Sequence, residues 1–510
     1  MSFQLAAELF LENRIYAFSL FVVGLAYYLI SAWRQAPSIY HQFERVENPW
    51  WLPKILGKGP QTLFAEGYNK IMVPFDRPFV VTWWSLSNLI LPPRYLPDLH
   101  HFKSEDASFL KNFSDAVRLH YSVGSLYESD RMGDILRKGM NPALPSLTTL
   151  IVSEIKRAID LEIGKPEEWK TFKTVDLFIM ISHRVVSRLL AGEELSRDEG
   201  FIHLSLKFGD SVFVTGLIIS QLPLGPFRGI VGWLIALYHR WLLYRIVKVV
   251  DPVVARRMSE ARASKTVPRY DDSIEWAIKL NDPPQRDSRT ITLEMLHILE
   301  AAAGAPGAMM SEMMYQLLVE PQYFQPLRDE IREAKKSARN ADEAIQKLRL
   351  MDSFMMETNR MYPVGGVTAA RTVMRKPLSL HDGTLLPVGT RIGFPCKAIQ
   401  LDPANFKDPL RFDGFRFARL NEAEGKDEVG ATRYAAVTPT PTNLSWGFGK
   451  HACPGRFYGV KLAKLVFTEL LLDYEFQWEG GVKTEHPASF EVEGQFLPNL
   501  EQKIRIRKLN

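Results

Sequence analysis

From Ile15 to Trp33 the chain reads IYAFSLFVVGLAYYLISAW, nineteen residues without a charge. As a helix this run is roughly 28 Å long, about one hydrocarbon core of a bilayer. Tyr27, Tyr28 and Trp33 stand where signal cleavage wants small residues, so the pattern predicts a retained anchor. Arg34, Arg45, Lys54 and Lys58 follow the span and only Arg14 precedes it. This asymmetry predicts a lumenal tail over 1–14, a transmembrane anchor over 15–33 and a large cytosolic C-terminal part. Pro49, Pro53, Gly57, Gly59 and Pro60 then mark 34–60 as a linker. On that orientation the sequons at Asn112 and Asn443 stay free of glycan.

Residues 61–510 show no repeat, low-complexity tract or second linker and read as one domain. Apolar positions recur at helical spacing over Asp251 to Arg262 and Leu327 to Asn359, with Lys and Glu between them. Short strands cluster at the edges. In LSLHDGTLLPVGTRIGF, Asp382 and Gly383 suit a tight turn, and Leu378, Leu380, Leu385 and Ile392 supply apolar strand positions. The predicted class is mainly α with small β-sheets, α+β. A second greasy region, Val212 to Val249, is interrupted by Pro223, Pro226, Arg228, His239, Arg240 and Arg245. It reads as an interior helix pair or as a pair dipping into a membrane surface.

Composition narrows the chemistry. Hydrophobic residues make up 46% and charged residues 24%, which describes a packed globular interior and excludes disorder as the main state. The net charge of +5 is mild and no Lys/Arg run is interleaved with aromatics, so no nucleic-acid partner is expected. The two cysteines, Cys396 and Cys453, make no disulfide framework and no paired metal motif. Any cysteine chemistry rests on one thiol.

That thiol has an unusual setting. In NLSWGFGKHACPGRFYG, Gly447, Gly449 and Gly455 surround Cys453 and Pro454 follows it. Glycines let a backbone approach a flat ligand closely. The run FYGVKLAKLVFTELLLDY is strongly helical, so the sulfur precedes a helix N-terminus, where dipole and free amides favour thiolate. A nucleophile needs a positioned base, and His451 falls on the wrong side of an extended loop; an iron ligand needs only a protected sulfur and amides.

The loop resembles that of the cytochrome P450 family, aromatic-x-x-Gly-x-(Arg or His)-x-Cys-x-Gly, with Trp446, Gly449, His451, Cys453 and Gly455 in those places. The resemblance extends over 61–510 through Glu357-Thr-Asn-Arg360 and through PLRFDGFRF, which holds Arg416. It implies a P450-like catalytic domain carrying haem b, iron protoporphyrin IX, with Cys453 as the axial ligand of the iron. It also implies that Glu357, Arg360 and Arg416 form a buried network under the haem loop, and that His451 and Arg371 meet the propionates. Trp446 departs from the usual Phe. Electrons would come from NADPH through a separate membrane-bound P450 reductase, docking near Lys450 and Arg456.

On the distal side the family carries an acid and a threonine that relay protons. The corresponding stretch, LEAAAGAPGAMM over Leu299 to Met310, has neither Thr nor Ser. The acid and alcohol positions fall on Ala305, Pro306 or Gly307, and Pro306 is expected to kink the helix. Ser311 and Thr368 are substitute hydroxyls. Two reactions therefore compete: oxygen insertion with protons from water or substrate, and a non-hydroxylating step such as desaturation, oxidative cyclisation, rearrangement, dehydration or isomerisation. A remote alternative is a haem-binding protein without catalysis. The wording of FDGFRF and GKHACPGRF is similar to membrane-bound fungal enzymes of specialised metabolism of the ent-kaurene oxidase type. This implies an apolar terpenoid, polyketide or polyketide-peptide substrate.

Overall fold

A computed structural model describes residues 38–48, 57–124, 129–222, 227–263, 270–280, 287–425 and 433–509, with residues 22, 24, 25 and 126 singly. The tail at 1–14 and nearly all of the span at 15–33 lie outside the described residues.

The core is a set of long helices: α1 (Asn141–Glu162), α2 (Thr174–Ser196), α3 (Glu199–Gln221), α4 (Arg228–Ile235), α5 (Leu237–Ala263), α6 (Ser288–Val319), α7 (Arg349–Met361) and α8 (Arg456–Asp473). α6 is apolar nearly all round, from Ile291 to Leu318, and such a helix is stable only when surrounded. It is: α2, α3, α5, α7 and α8 all pack on it. Its start is set by Asp287, whose side chain accepts from the Thr290 amide at 2.8 Å. The helix runs unbroken through Pro306, so the kink expected there is not a break. The segment 327–359 is not one helix; Asn340, capping a short turn at Ala341–Gln346, and Leu348 divide it.

The sheets are small. β1 (Phe79–Trp83), β2 (Leu86–Ile90), β3 (Ala107–Ser108), β5 (Thr368–Val373) and β8 (Arg391–Phe394) form one sheet in the order β1-β2-β8-β5-β3, antiparallel except for β2 with β8. β4 (Lys170–Lys173), β9 (Tyr474–Trp478) and β12 (Lys503–Lys508) form a second. Two hairpins remain, β6 (Leu378–Ser379) with β7 (Leu385–Leu386), and β10 (Phe490–Val492) with β11 (Gln495–Leu497). The Asp382-Gly383 turn is as expected, with Gly383 at φ +86°, but Ile392 belongs to the large sheet and not to this hairpin.

Two further expectations change. Residues 38–48, read above as linker, pack into the domain: Ile39 and Tyr40 are buried, and the Tyr40 hydroxyl accepts from the Arg391 amide at 2.7 Å. Apolar spacing here is too short to register as an element, and only the distant sheet makes it one. Asn112 and Asn443 are both buried, so a missing glycan on the folded chain reflects burial as well as the side of the membrane.

Candidate active site

The cysteine loop is held by its own backbone. Gly447 and Gly449 adopt φ of +75° and +71°, the left-handed region where a side chain is strained. These turns let the Cys453 amide donate to the Trp446 carbonyl at 2.8 Å. The Trp446 indole donates to the Ala436 carbonyl at 2.7 Å, tying the loop to its flank. Gly455 caps α8 directly after Cys453 and Pro454. Burial pushes the Cys453 thiol up, while the Gly455 amide, the Arg456 guanidinium and the Arg456 amide pull it down. Burial wins, so the favoured thiolate expected from the helix terminus alone is not reached without a cation beside the sulfur.

Cys453 is nevertheless accessible to a small probe. Accessible and desolvated are compatible where the sulfur faces an interior space. The opposite wall is α6, which meets α8 where a Cβ on Gly459 would lie 4.0 Å from Pro306 Cγ. Beside that contact, in the middle of an otherwise buried helix, Ala301 and Ala305 are exposed and Gly304 has no atom within 4 Å of where its Cβ would be. The sulfur and the alanine face are thus both accessible on either side of the α6–α8 contact.

Beneath the loop lies the Glu357 network. Glu357 and Arg360, at i and i+3 on α7, form a two-pronged pair at 2.8 Å on both prongs. The Arg416 Nε reaches both oxygens of Glu357 at 3.2 Å, and the Asp413 amide donates to one of them at 3.0 Å. Arg360 also donates to the carbonyls of Gln400 and Pro409. Glu357 is 0% and Arg360 1% exposed, so the charges persist only because they are matched. The structure brings these three predicted residues together.

At the loop's other end are two nitrogen donors with no ion pair of their own among the described residues. Arg371 is 2% exposed and donates only to the carbonyls of Ala370 and Phe448, and burial lowers its pKa to about 10. The His451 Nε2 is buried with no hydrogen-bond partner, and burial, then Arg371, Arg137 and Lys450, lower its pKa to about 4. A guanidinium with no direct ion pair among the described residues and a ring nitrogen with no hydrogen bond among them, beside an accessible thiol, fit a flat iron-bearing group with carboxylate arms: sulfur for the metal, the guanidinium and the ring N–H for the arms. Arg137 was missed in the sequence because its only visible signal is charge periodicity with Asp130 and Asp134, which it also pairs.

The substitute hydroxyls fare differently. Ser311 is fully buried and its Oγ donates to the Gly307 carbonyl of its own helix at 2.8 Å. Gly307 has no room for an alcohol, since a Cβ there would lie 2.7 Å from the Ile179 Cα on α2. Thr368 is half-buried on β5, its side chain beside the buried Cys396 thiol. A residue unmarked by sequence reasoning, Glu300, lies one turn before Gly304, an isolated acid in an apolar run.

The cytochrome P450 family profile matches residues 227–504. The chain is 34% identical over 445 residues to the cytochrome P450 monooxygenase sirB of Leptosphaeria maculans, covering 86% of this chain and 85% of that one. It is 29% identical to the monooxygenase paxP of Penicillium paxilli, covering 90% and 88%, and 26% identical to an ent-kaurene oxidase of Gibberella intermedia, covering 91% and 87%. A solved structure, the retinoic acid-bound cyanobacterial CYP120A1, superposes with a TM-score of 0.62 over 86% of this chain and 94% of that one, at 15% identity. The last comparison speaks to the fold alone.

Proposed function

Since the chain belongs to the cytochrome P450 family of haem-thiolate oxidoreductases, we propose that it is a monooxygenase of a fungal specialised-metabolite pathway acting on an apolar terpenoid, polyketide or polyketide-peptide hybrid. The observation that carries this is the accessible Cys453 sulfur in a loop that packs, through the helix it leads into, on the α6 segment whose Ala301 and Ala305 are also accessible. Cys453 holds the iron of haem b; Arg371 and His451, with Arg137, take the propionates; Gly449 and Gly455 let the loop lie close, and Trp446 braces it. Glu357, Arg360 and Arg416 hold the segment that carries the loop. Bound, the haem supplies dioxygen activation, with the thiolate favouring oxygen–oxygen cleavage. Ala301, Ala305 and Gly304 leave space for substrate and exclude bulk water. The reduced, carbon monoxide-bound protein should show the red-shifted Soret band of thiolate ligation, and Cys453→Ser should lose it while remaining folded. A protein with that band in Cys453→Ser would sink the assignment.

NADPH-cytochrome P450 reductase supplies the electrons. A cavity of about 620 Å³ opens beside the loop, lined by His100, Arg433, Phe448, Gly449 and Arg456. With Lys450 this basic rim suits an acidic electron donor. The protein is anchored in the endoplasmic reticulum membrane by 15–33, with 61–510 cytosolic. Supporting this, α4 and α5 turn Phe227, Ile230, Trp233, Leu234, Tyr238 and Trp241 to the outside, with Arg240 over the Trp233 ring and Arg245 over Trp241. Exposed aromatics beside basic stems are the pattern of a membrane interface.

A second reading has its own observation. With Ser311 engaged and Gly307 walled in by α2, no hydroxyl of α6 serves the space beside Gly304, which favours a non-hydroxylating step: desaturation, cyclisation, rearrangement, dehydration or isomerisation. Metabolite profiling of a deletion strain identifies the substrate. Oxygen-18 in the product, with NADPH and reductase present, selects oxygen insertion; conversion under strict anaerobiosis selects a step that needs no external oxygen.

A further inference from the structure

Carboxyl side chains gather beside α6 with no cation to meet them. Glu300 belongs to α6, Asp210 to α3 and Asp176 to the first turn of α2. Asp210 acts on Glu300 and Asp176 acts on Asp210, each by like charge. Neither Glu300 nor Asp210 has an ion pair or hydrogen bond among the described residues. The nearby histidines do not supply the charge: burial lowers His297 on α6 and His239 on α5 to about 4, so both are neutral at pH 7.

We propose that Glu300, recharged through Asp210, is the proton donor for the space beside Gly304, in place of the acid and alcohol missing at Ala305, Pro306 and Gly307. The proposal rests on the monooxygenase reading above. Glu300 and Gly304 are i and i+4 on α6, about 6 Å apart along the axis and on one face. Gly304 opens that face, with nothing within 4 Å of a built Cβ. α3 is pressed onto Glu300 at Gly209, where a Cβ would come within 2.9 Å of Glu300 Cγ, so residue 209 must be bare for Asp210 to approach. Asp210 is itself accessible, giving the pair an outlet to solvent. Burial and then Asp210 push the Glu300 carboxyl up to about 7, so both of its protonation states are populated near neutrality, as a donor requires.

The balance is simple. Insertion of one oxygen atom consumes one dioxygen, two electrons from NADPH and two protons, and releases one water. The Glu300 O–H bond breaks toward an acceptor in the space beside Gly304, leaving a carboxylate, and Asp210 returns a proton drawn from solvent.

The test uses the haem-loaded protein and the variants Glu300→Gln and Asp210→Asn. In infrared spectra the proposal expects a protonated-carboxyl band that titrates near pH 7, is absent in Glu300→Gln, and titrates at lower pH in Asp210→Asn because a neighbouring negative charge is gone. With reductase and NADPH and no added substrate, each dioxygen taken up accepts two electrons and two protons and leaves as hydrogen peroxide; Glu300→Gln should slow this uptake about a hundredfold and lose the corresponding limb of its pH profile, with the carbon monoxide band intact. A carboxyl titration indifferent to Asp210→Asn, or unchanged uptake and pH profile in Glu300→Gln, overturns it. A deletion strain complemented with the wild-type gene that puts no oxygen-18 into the restored metabolite overturns the monooxygenase reading itself, a result distinct from a failed relay.

Discussion

Glu357 and Glu300 are acids enclosed in the same domain and built into opposite situations. Glu357 meets two guanidiniums and a backbone amide, and its partners are in turn tied to carbonyls of the segment 400–411. Glu300 meets a second carboxyl and the carbons around it. A carboxylate whose every lone pair is occupied is frame: it cannot move charge without breaking the fold. One left without a cation among the described residues sits near the point where it gains or loses a proton.

The sharpest way to break the comparison is Glu357→Ala, which strands Arg360 and Arg416 without their anion. Destabilisation of about 3–5 kcal/mol and loss of haem are expected, read by urea unfolding and by haem content per chain. Full haem loading would refute a framing role. Next comes Gly307→Thr, which installs the missing alcohol where Ile179 leaves no space. Overpacking should cost about 1–3 kcal/mol in urea unfolding, whereas Gly304→Ala, in open space one turn earlier, should be neutral or gain up to about 1 kcal/mol. Equal tolerance at both positions would mean that α2 does not dictate the sequence of α6.

The pH dependence concerns the distal helices. His183, His239 and His297 have folded values near 4 against 6.5 when unfolded, because burial disfavours their charged form. The unfolded chain therefore binds more protons between these values. Stability is full above pH 6.5 and falls as pH drops toward 4, by at most about 1.4 kcal/mol per unit for each histidine. Urea unfolding at pH 7, 6 and 5 measures it, and a flat profile would contradict the burial of these rings. The smallest effect is Ser311→Ala: its hydroxyl serves only the Gly307 carbonyl, so a loss under about 1 kcal/mol and an unaltered rate of oxygen uptake are expected. A large drop in uptake would return Ser311 to the relay.

Much of the frame was legible in the chain. Cys453, its glycines and the helix after it lie within one short segment, and Glu357 and Arg360 are a turn apart, so local spacing suffices to place them on one face. Arg416 is distant in sequence and was reached through the family resemblance, and its contact with Glu357 belongs to the fold. The rest was hidden for particular reasons. Residues 38–48 looked like linker because their apolar residues are too few to show a period, yet Tyr40 caps β8. Arg137 looked like one member of a solvated charge run, and only its approach to His451 marks it out.

By itself, then, the sequence determined the glycine-rich cysteine loop before its helix and the Glu357–Arg360 pair, because both are written in short-range motifs whose spacing sets which atoms meet. It also determined that the stretch 299–310 of α6 lacks an alcohol. Only the tertiary structure decided why: at Gly307 the backbone of α2 occupies the place of a side chain, and at Gly209 the approach of α3 to Glu300 requires one to be absent. Such contacts join residues 128 and 91 positions apart. No periodicity along the chain encodes them, because they depend on which helix faces which once the core has closed.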